Sequence, residues 1–260
     1  RTVGSAWQRP TLDTVYVGGG TPTVLPPNLL TYLLTTIGES FRLSPTAEVT
    51  VEANPGTVTA EGLVALLSAG ANRLSLGVQS FQPELLHLMG RIHTAAQAAE
   101  SVALARRAGF ANLNLDLIYG LPGQTLNQWQ ADLEAALALA PAHLSLYALT
   151  LEEPTPLATR VACGEVPAPD AELAAAMYEH AQDRLAAAGW IHYEISNWAC
   201  RCPGGGDRRA RHNLTYWLNR PYAGCGAAAH SWLAGQRRAN VRGVGTYIQR
   251  LRLGEDPAAE

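Results

Sequence analysis

The stretch Asn112-Leu113-Asn114-Leu115-Asp116-Leu117-Ile118-Tyr119, closed by Gly120-Leu121-Pro122-Gly123, decides the fold. It reads as a strand because its residues favour extended backbone and glycine with proline ends it abruptly. Asp116 lies inside this hydrophobic run. A carboxylate pointing into a barrel needs a partner, because unpaired burial is costly. Two partners remain open: the hydroxyls of a ribose, or a neighbouring arginine. Downstream, Leu126 to Leu139 reads as a helix, His143 to Leu149 as a strand, Asp170 to Ala188 as an alanine-rich helix closed by Gly189, and Ile191 to Ile195 as a strand. Upstream, a helical region from Pro83 to Ala108 breaks near Gly90 and follows a strand from Arg73 to Val78. Before that come a helix from Thr59 to Ala69, with Thr59 as N-cap and Gly70 as terminator, and an alternating strand from Glu48 to Glu52 ending at Asn54-Pro55-Gly56. A helix from Asn28 to Ile37 and a strand from Asp13 to Val17 complete the series.

Strands that alternate with helices imply βαβ units and a parallel sheet, either doubly wound or closed as a barrel. The placement of unusual residues favours the barrel. Glu52, Asn54, Gln79, Asp116 and Asn197 fall at or just beyond strand C-termini, and in a β/α barrel those ends converge on one mouth. The expected fold is therefore α/β, a partial parallel barrel of TIM type with about six units. After Asn197 periodicity fades. Residues 198–231 are rich in Gly, Arg, Trp and His, and a loop this long in a compact domain is commonly functional.

Composition narrows the chemistry. The 260 residues suffice for one large domain, and a net charge of -3 leaves no electrostatic footprint for nucleic acid. Every basic side chain is arginine and none is lysine, which removes Schiff-base chemistry and the phosphate-loop lysine. Four cysteines, Cys163, Cys200, Cys202 and Cys225, form no disulfide framework. A cytoplasmic setting is expected, with no stretch apolar enough to span a bilayer.

Gly18-Gly19-Gly20-Thr21-Pro22-Thr23 follows a strand and precedes a helix, so backbone groups there can approach a ligand without Cβ interference. The same glycines also suit a plain tight turn. Glu52 is either a ligand carboxylate or a surface residue at a strand end. Gln79 can equally cap a helix, and Arg91 in Gly90-Arg91-Ile92-His93 can equally be a surface charge. In His212-Asn213-Leu214-Thr215-Tyr216-Trp217 a histidine and an aromatic pair are open to a packing role. His93 and His192 read as structural, and His230-Ser231 is open to a capped turn or a catalytic role.

Taken together, GGGTPT (18–23), EANPGT (52–57), NRLSLGVQSF (72–81), GRIH (90–93), NLDLIYGLPGQT (114–125) and HLSLYALTLEEPTPL (143–157) resemble, in order, the landmarks of one branch of radical S-adenosylmethionine (SAM) proteins. That branch comprises HemW and the oxygen-independent coproporphyrinogen III oxidases. The likeness runs from about Asp13 to Ser231, and six landmarks together are far more specific than any one. It implies that Gly18, Gly19, Gly20 and Thr21 meet the methionine end of SAM. Glu52 is then the family's carboxylate, Gln79 its strand glutamine, Arg91 its carboxylate-contacting arginine and Asp116 its ribose-binding aspartate. These residue types suit those partners. The H-N-x-x-Y pattern at His212 and Tyr216 resembles the haem-binding HemW branch. His212 becomes a possible haem iron ligand, with Arg208, Arg209 and Arg211 as partners for haem propionates.

One departure is large. The family carries a CxxxCxxC loop whose three thiolates hold a 4Fe-4S cluster, and here that loop and the first strand would precede Arg1. Cys200 and Cys202, spaced CxC late in the chain, are expected not to replace it. The resemblance divides the chain into a partial radical SAM barrel at 1–197, a haem-motif region at 198–235 and, at 236–260, the start of a linker to a further C-terminal domain. As written, the chain is expected not to cleave SAM, and no residue is given a catalytic role. The implied function is a haem chaperone that binds haem, SAM and, when complete, the cluster, and passes haem to apoproteins. The alternative is coproporphyrinogen III dehydrogenase, which decarboxylates propionates oxidatively. An unrelated barrel hydrolase or isomerase is the third reading.

Overall fold

The computed structural model describes residues 10–201 and 206–259. They fall into two compact units that meet in sequence at Ala210 and Arg211. The first is built on a seven-stranded sheet in the order β1-β2-β3-β4-β5-β7-β6. Its strands are β1 (Thr11–Val17), β2 (Arg42–Ala53), β3 (Arg73–Gln79), β4 (Asn112–Tyr119), β5 (His143–Ala148), β6 (Ile191–Glu194) and β7 (Asn197–Ala199). The first five are parallel. The sixth and seventh form an antiparallel hairpin that joins through β7 against β5. Ile191 to Ile195 is thus a strand as read, but it does not extend the parallel series.

Helices connect the strands: α1 (Pro27–Ser40), α2 (Ala60–Ser68), α3 (Pro83–Leu88), α4 (Ala95–Ala108), α5 (Leu126–Ala138), α6 (Pro156–Ala162) and α7 (Ala171–Ala187). Their boundaries have local causes. The Thr59 hydroxyl accepts from the Gly62 amide at the start of α2, and Thr94 with Gln97 and Thr125 with Gln128 form capping boxes on α4 and α5. Gly90 and Arg91 separate α3 from α4, as the break in the sequence pattern indicated.

The sheet has two chemically different faces. Parallel neighbours in register share a face, and Val51, Leu74, Leu76, Leu113, Leu115, Leu117, Leu144 and Leu146 all lie on the one covered by helices. They pack against Leu63, Leu66, Val102, Trp129, Leu133, Met177 and Leu185. Each such side chain contributes about 1.5–3 kcal/mol when fully buried. The Trp129 Nε1 donates to the Met177 carbonyl at 2.8 Å, so α5 and α7 are also joined by a satisfied polar contact. The opposite face carries Thr50, Arg73, Ser75, Asn114, His143 and Ser145, all buried. Parallel sheets usually read as continuous apolar runs because both faces are packed. This one alternates, and its second face is a polar interior.

The second unit holds α8 (Arg211–Trp217), the antiparallel pair β8 (His230–Leu233) and β9 (Gln236–Ala239), and α9 (Val244–Leu253). A tight turn at Ala234-Gly235, both at positive φ, joins β8 to β9. None of its described residues is buried. Stretch 198–231 therefore contains regular elements that its composition concealed.

Candidate functional site

At the C-terminal end of β1 the chain turns through Gly18, Gly19 and Gly20, the last two at φ +89° and +65°. The Gly19 amide donates to Glu52 Oε2 at 3.1 Å, and the Tyr16 hydroxyl donates to Glu52 Oε1 at 2.5 Å. Glu52 thus ties the glycine turn to the end of β2. Burial beside this carboxylate pushes the Tyr16 hydroxyl pKa well up, keeping it a donor. A Cβ at Gly18 would lie 2.7 Å from the Tyr16 ring and 2.8 Å from the Glu52 carboxyl carbon, so a side chain there would displace one or both. Thr21 accepts from Asn54 Nδ2 at 2.8 Å, a second tie between the turn and β2.

Gln79 ends β3 at φ +67°, a conformation rare for a non-glycine residue. Such strain persists only when the surroundings hold it. They do. Asp132 of α5, fully buried, accepts from Ser80 Oγ at 2.6 Å, the Phe81 amide at 2.9 Å and Gln82 Nε2 at 3.0 Å. His93 Nε2 donates to the Val78 carbonyl at 2.9 Å, which agrees with its structural reading. A Cβ on Gly77 would meet Asn54 Oδ1 and Gln79 Nε2, each at 2.8 Å. The two amide side chains therefore converge over Gly77.

Asp116 receives Asn114 Nδ2 at 2.7 Å on Oδ1 and Ser75 Oγ at 3.1 Å on Oδ2. Burial raises its pKa. The hydrogen bonds and the buried Arg73 guanidinium act in the opposite direction. Arg91 is half-buried. Burial lowers its pKa while the Asp116 charge supports the cation, so the two groups feel one another electrostatically. Thr50, Arg73 and Asn112 stand side by side in register on this face, each with a buried polar atom lacking a protein hydrogen-bond partner. Asn197 opens β7 opposite Ser145, which brings it to the same end through the antiparallel hairpin.

Glu52 and Asp116 thus share one sheet face, the Gln79 and Asn54 amides converge over Gly77 beside it, and Arg91 feels the Asp116 charge. Tyr16, Ser75, Asn114, His143, Ser145 and Tyr193 complete the network there and were not singled out from the sequence. The signal was present in the strands Arg73–Gln79 and His143–Ala148, where Leu alternates with polar residues.

The second unit keeps its own constellation. His212 Nε2 hydrogen-bonds the Tyr216 hydroxyl at 2.8 Å across one turn of α8, and Tyr216 meets Tyr222 edge-on at 4.6 Å. Trp217 beside them is half exposed. Arg209 is occupied by Asp207, with guanidinium contacts of 2.7–3.0 Å, which weakens its claim as a propionate partner. Cys163 and Cys225 are exposed, and Cys202 lies outside the described residues.

The sequence matches the radical SAM superfamily over residues 1–136. The chain belongs to that superfamily. Among curated relatives it is 44% identical over 238 residues to the heme chaperone HemW of Lactococcus lactis, covering 92% of this chain and 62% of that protein. It is 43% identical over 242 residues to the heme chaperone HemW of Mycobacterium tuberculosis, covering 93% and 61%. The chain therefore spans about three-fifths of the relatives it matches. Among solved structures, coproporphyrinogen III oxidase (HemN) from Escherichia coli aligns with a TM-score of 0.79 at 24% identity, over 95% of this chain and 58% of that one. That likeness shows the fold: a partial radical SAM barrel.

Proposed function

We propose that this chain is the barrel portion of a cytoplasmic haem chaperone that holds SAM at the sheet rim and haem at His212. The observation carrying the nucleotide half is Asp116, a carboxylate gripped on both oxygens, on the same face as the Glu52-tied glycine turn. In this reading Asp116 takes the ribose hydroxyls and Arg91 the methionine carboxylate. Gly18 to Thr21 and Glu52 receive the ammonium end, and Gln79 lines the rim. The open backbone at Gly19 and Gly20, where an added Cβ would meet nothing within 4 Å, fits such a ligand. When bound, SAM would supply a sulfonium nucleotide, which these residues would bind and orient.

The residues described do not fit a 4Fe-4S cluster. Among them no three His, Cys, Asp or Glu side chains are grouped to hold a metal.

For haem, His212 would be the iron ligand and Tyr216 the residue that orients its ring. In this reading Tyr216 keeps its hydrogen bond to Nε2 and the other ring nitrogen of His212 faces the iron. Sequence identity to HemW proteins and the His212–Tyr216 pair favour the chaperone over coproporphyrinogen III dehydrogenase. No helix among the described residues is long and apolar enough to cross a membrane. The recipients in this reading are haem-dependent apoproteins, and nucleic acid is no partner.

Haemin titration of the full-length protein tests the reading. A saturable Soret shift, lost in His212→Ala, is expected. Turnover of coproporphyrinogen III would replace this reading with the dehydrogenase.

A further inference from the structure

Asn114 stands two residues before Asp116 on the same face of β4. Its two amide hydrogens are both used, one on Asp116 Oδ1 at 2.7 Å and one on Ser75 Oγ at 2.7 Å. Its oxygen accepts from Ser145 Oγ at 3.1 Å and from His143 Nδ1 at 2.6 Å. All four hydrogen-bonding positions of the amide are therefore filled, and a flip would set its oxygen against the Asp116 carboxylate, acceptor against acceptor.

The directions beyond Asn114 are also fixed. An amide oxygen only accepts, so His143 carries its proton on Nδ1. His143 is 1% exposed, and burial holds its pKa well below the ordinary histidine value, so Nε2 is bare. The Tyr193 hydroxyl lies 2.8 Å from Nε2 and must donate to it. With its one hydrogen committed, the Tyr193 oxygen accepts the Ala210 amide at 3.2 Å. The chain thus runs one way, from Ala210 through Tyr193, His143 and Asn114 to the Asp116 carboxylate. Ser75, itself bound to Asn114, closes the grip on the other carboxylate oxygen.

We propose that Asn114, His143 and Tyr193 form a positioning relay, anchored on the Ala210 backbone, that fixes Asp116 for a nucleoside's ribose and sets the preference for ribose over deoxyribose. This rests on the reading of Asp116 as the sugar-facing carboxylate. Outer partners hold metal-ligating groups in orientation in the same way, and their loss is felt in affinity.

The test is calorimetric titration of the full chain with S-adenosylhomocysteine and with its 2′-deoxyribose counterpart, read as the ratio of the two affinities. The wild type is expected to favour the ribose form by about tenfold or more, the worth of one hydrogen bond to a charged group. Asp116→Asn brings the ratio close to one. His143→Leu and Tyr193→Phe lower it by roughly threefold or more, a partial loss of that same bond. His143→Asn restores it relative to His143→Leu, because its amide can donate from the Nδ1 position. Tyr193→Phe removes a single oxygen, so it keeps the test usable should a histidine variant fold poorly. If Asp116→Asn collapses the ratio but His143→Leu and Tyr193→Phe keep the wild-type value and only melt earlier, the relay is structural and the proposal fails. If Asp116→Asn leaves the ratio unchanged, the reading of the sugar site fails, and the proposal with it.

Discussion

On β4, Leu113, Leu115 and Leu117 turn toward the helices while Asn114 and Asp116 turn the other way. The leucines have many neighbours and no particular one. Asn114 and Asp116 have particular partners within hydrogen-bond distance, in fixed donor and acceptor roles. The same backbone therefore presents two kinds of specification. One face is fixed by volume, which dispersion and water exclusion enforce without direction. The other is fixed by hydrogen-bond geometry, which tolerates no substitute of equal size. Stability should follow the first face and ligand selectivity the second.

Leu115→Ala gives the largest test of that division. It should cost about 2–5 kcal/mol in urea unfolding, as a cavity in a packed core does, and leave the nucleotide affinity ratio of the folded protein unchanged. A change in that ratio would break the comparison. Asp116→Asn should do the reverse, losing about 1.5–3 kcal/mol of S-adenosylhomocysteine binding with a smaller change in urea unfolding. Gly18→Ala should cost about 1–3 kcal/mol through its contacts with Tyr16 and Glu52. It should weaken S-adenosylhomocysteine more than adenosine, because the clash falls on the carboxylate at the glycine turn.

The smallest effect is in pH. Burial lowers the pKa values of His143 and His93 below 6.5. As pH falls through that value the unfolded chain binds protons first, so stability should decline, on the order of 1 kcal/mol between pH 7 and 5. His143→Asn should flatten that decline in thermal melts at several pH values.

The sequence and the structure agree best where local chemistry decides. The strand Asn112–Tyr119 is found at the residues read for it, and Thr59 caps its helix as expected. β2 is longer than the Glu48-to-Glu52 reading because the alternation does not reach across Pro45. The sheet absorbs it with a register shift, pairing Leu12 with Leu43 but Thr14 with Glu48. The β6–β7 hairpin escaped because a three-residue strand carries too little pattern to reveal its direction. Asp116 and Glu52 were visible because a carboxylate among apolar residues is conspicuous. Ser75, Asn114 and His143 were not, since their value arises only when three strands set them side by side.

Asp132 belongs to neither camp. It projects from a helix of the apolar layer, yet its oxygens grip the loop that follows Gln79 at the rim. It acts as a guy-rope, carrying the position of α5 to the ligand side of the sheet. A survey sorting residues by depth alone would file it with the leucines and miss that cutting it slackens the binding edge.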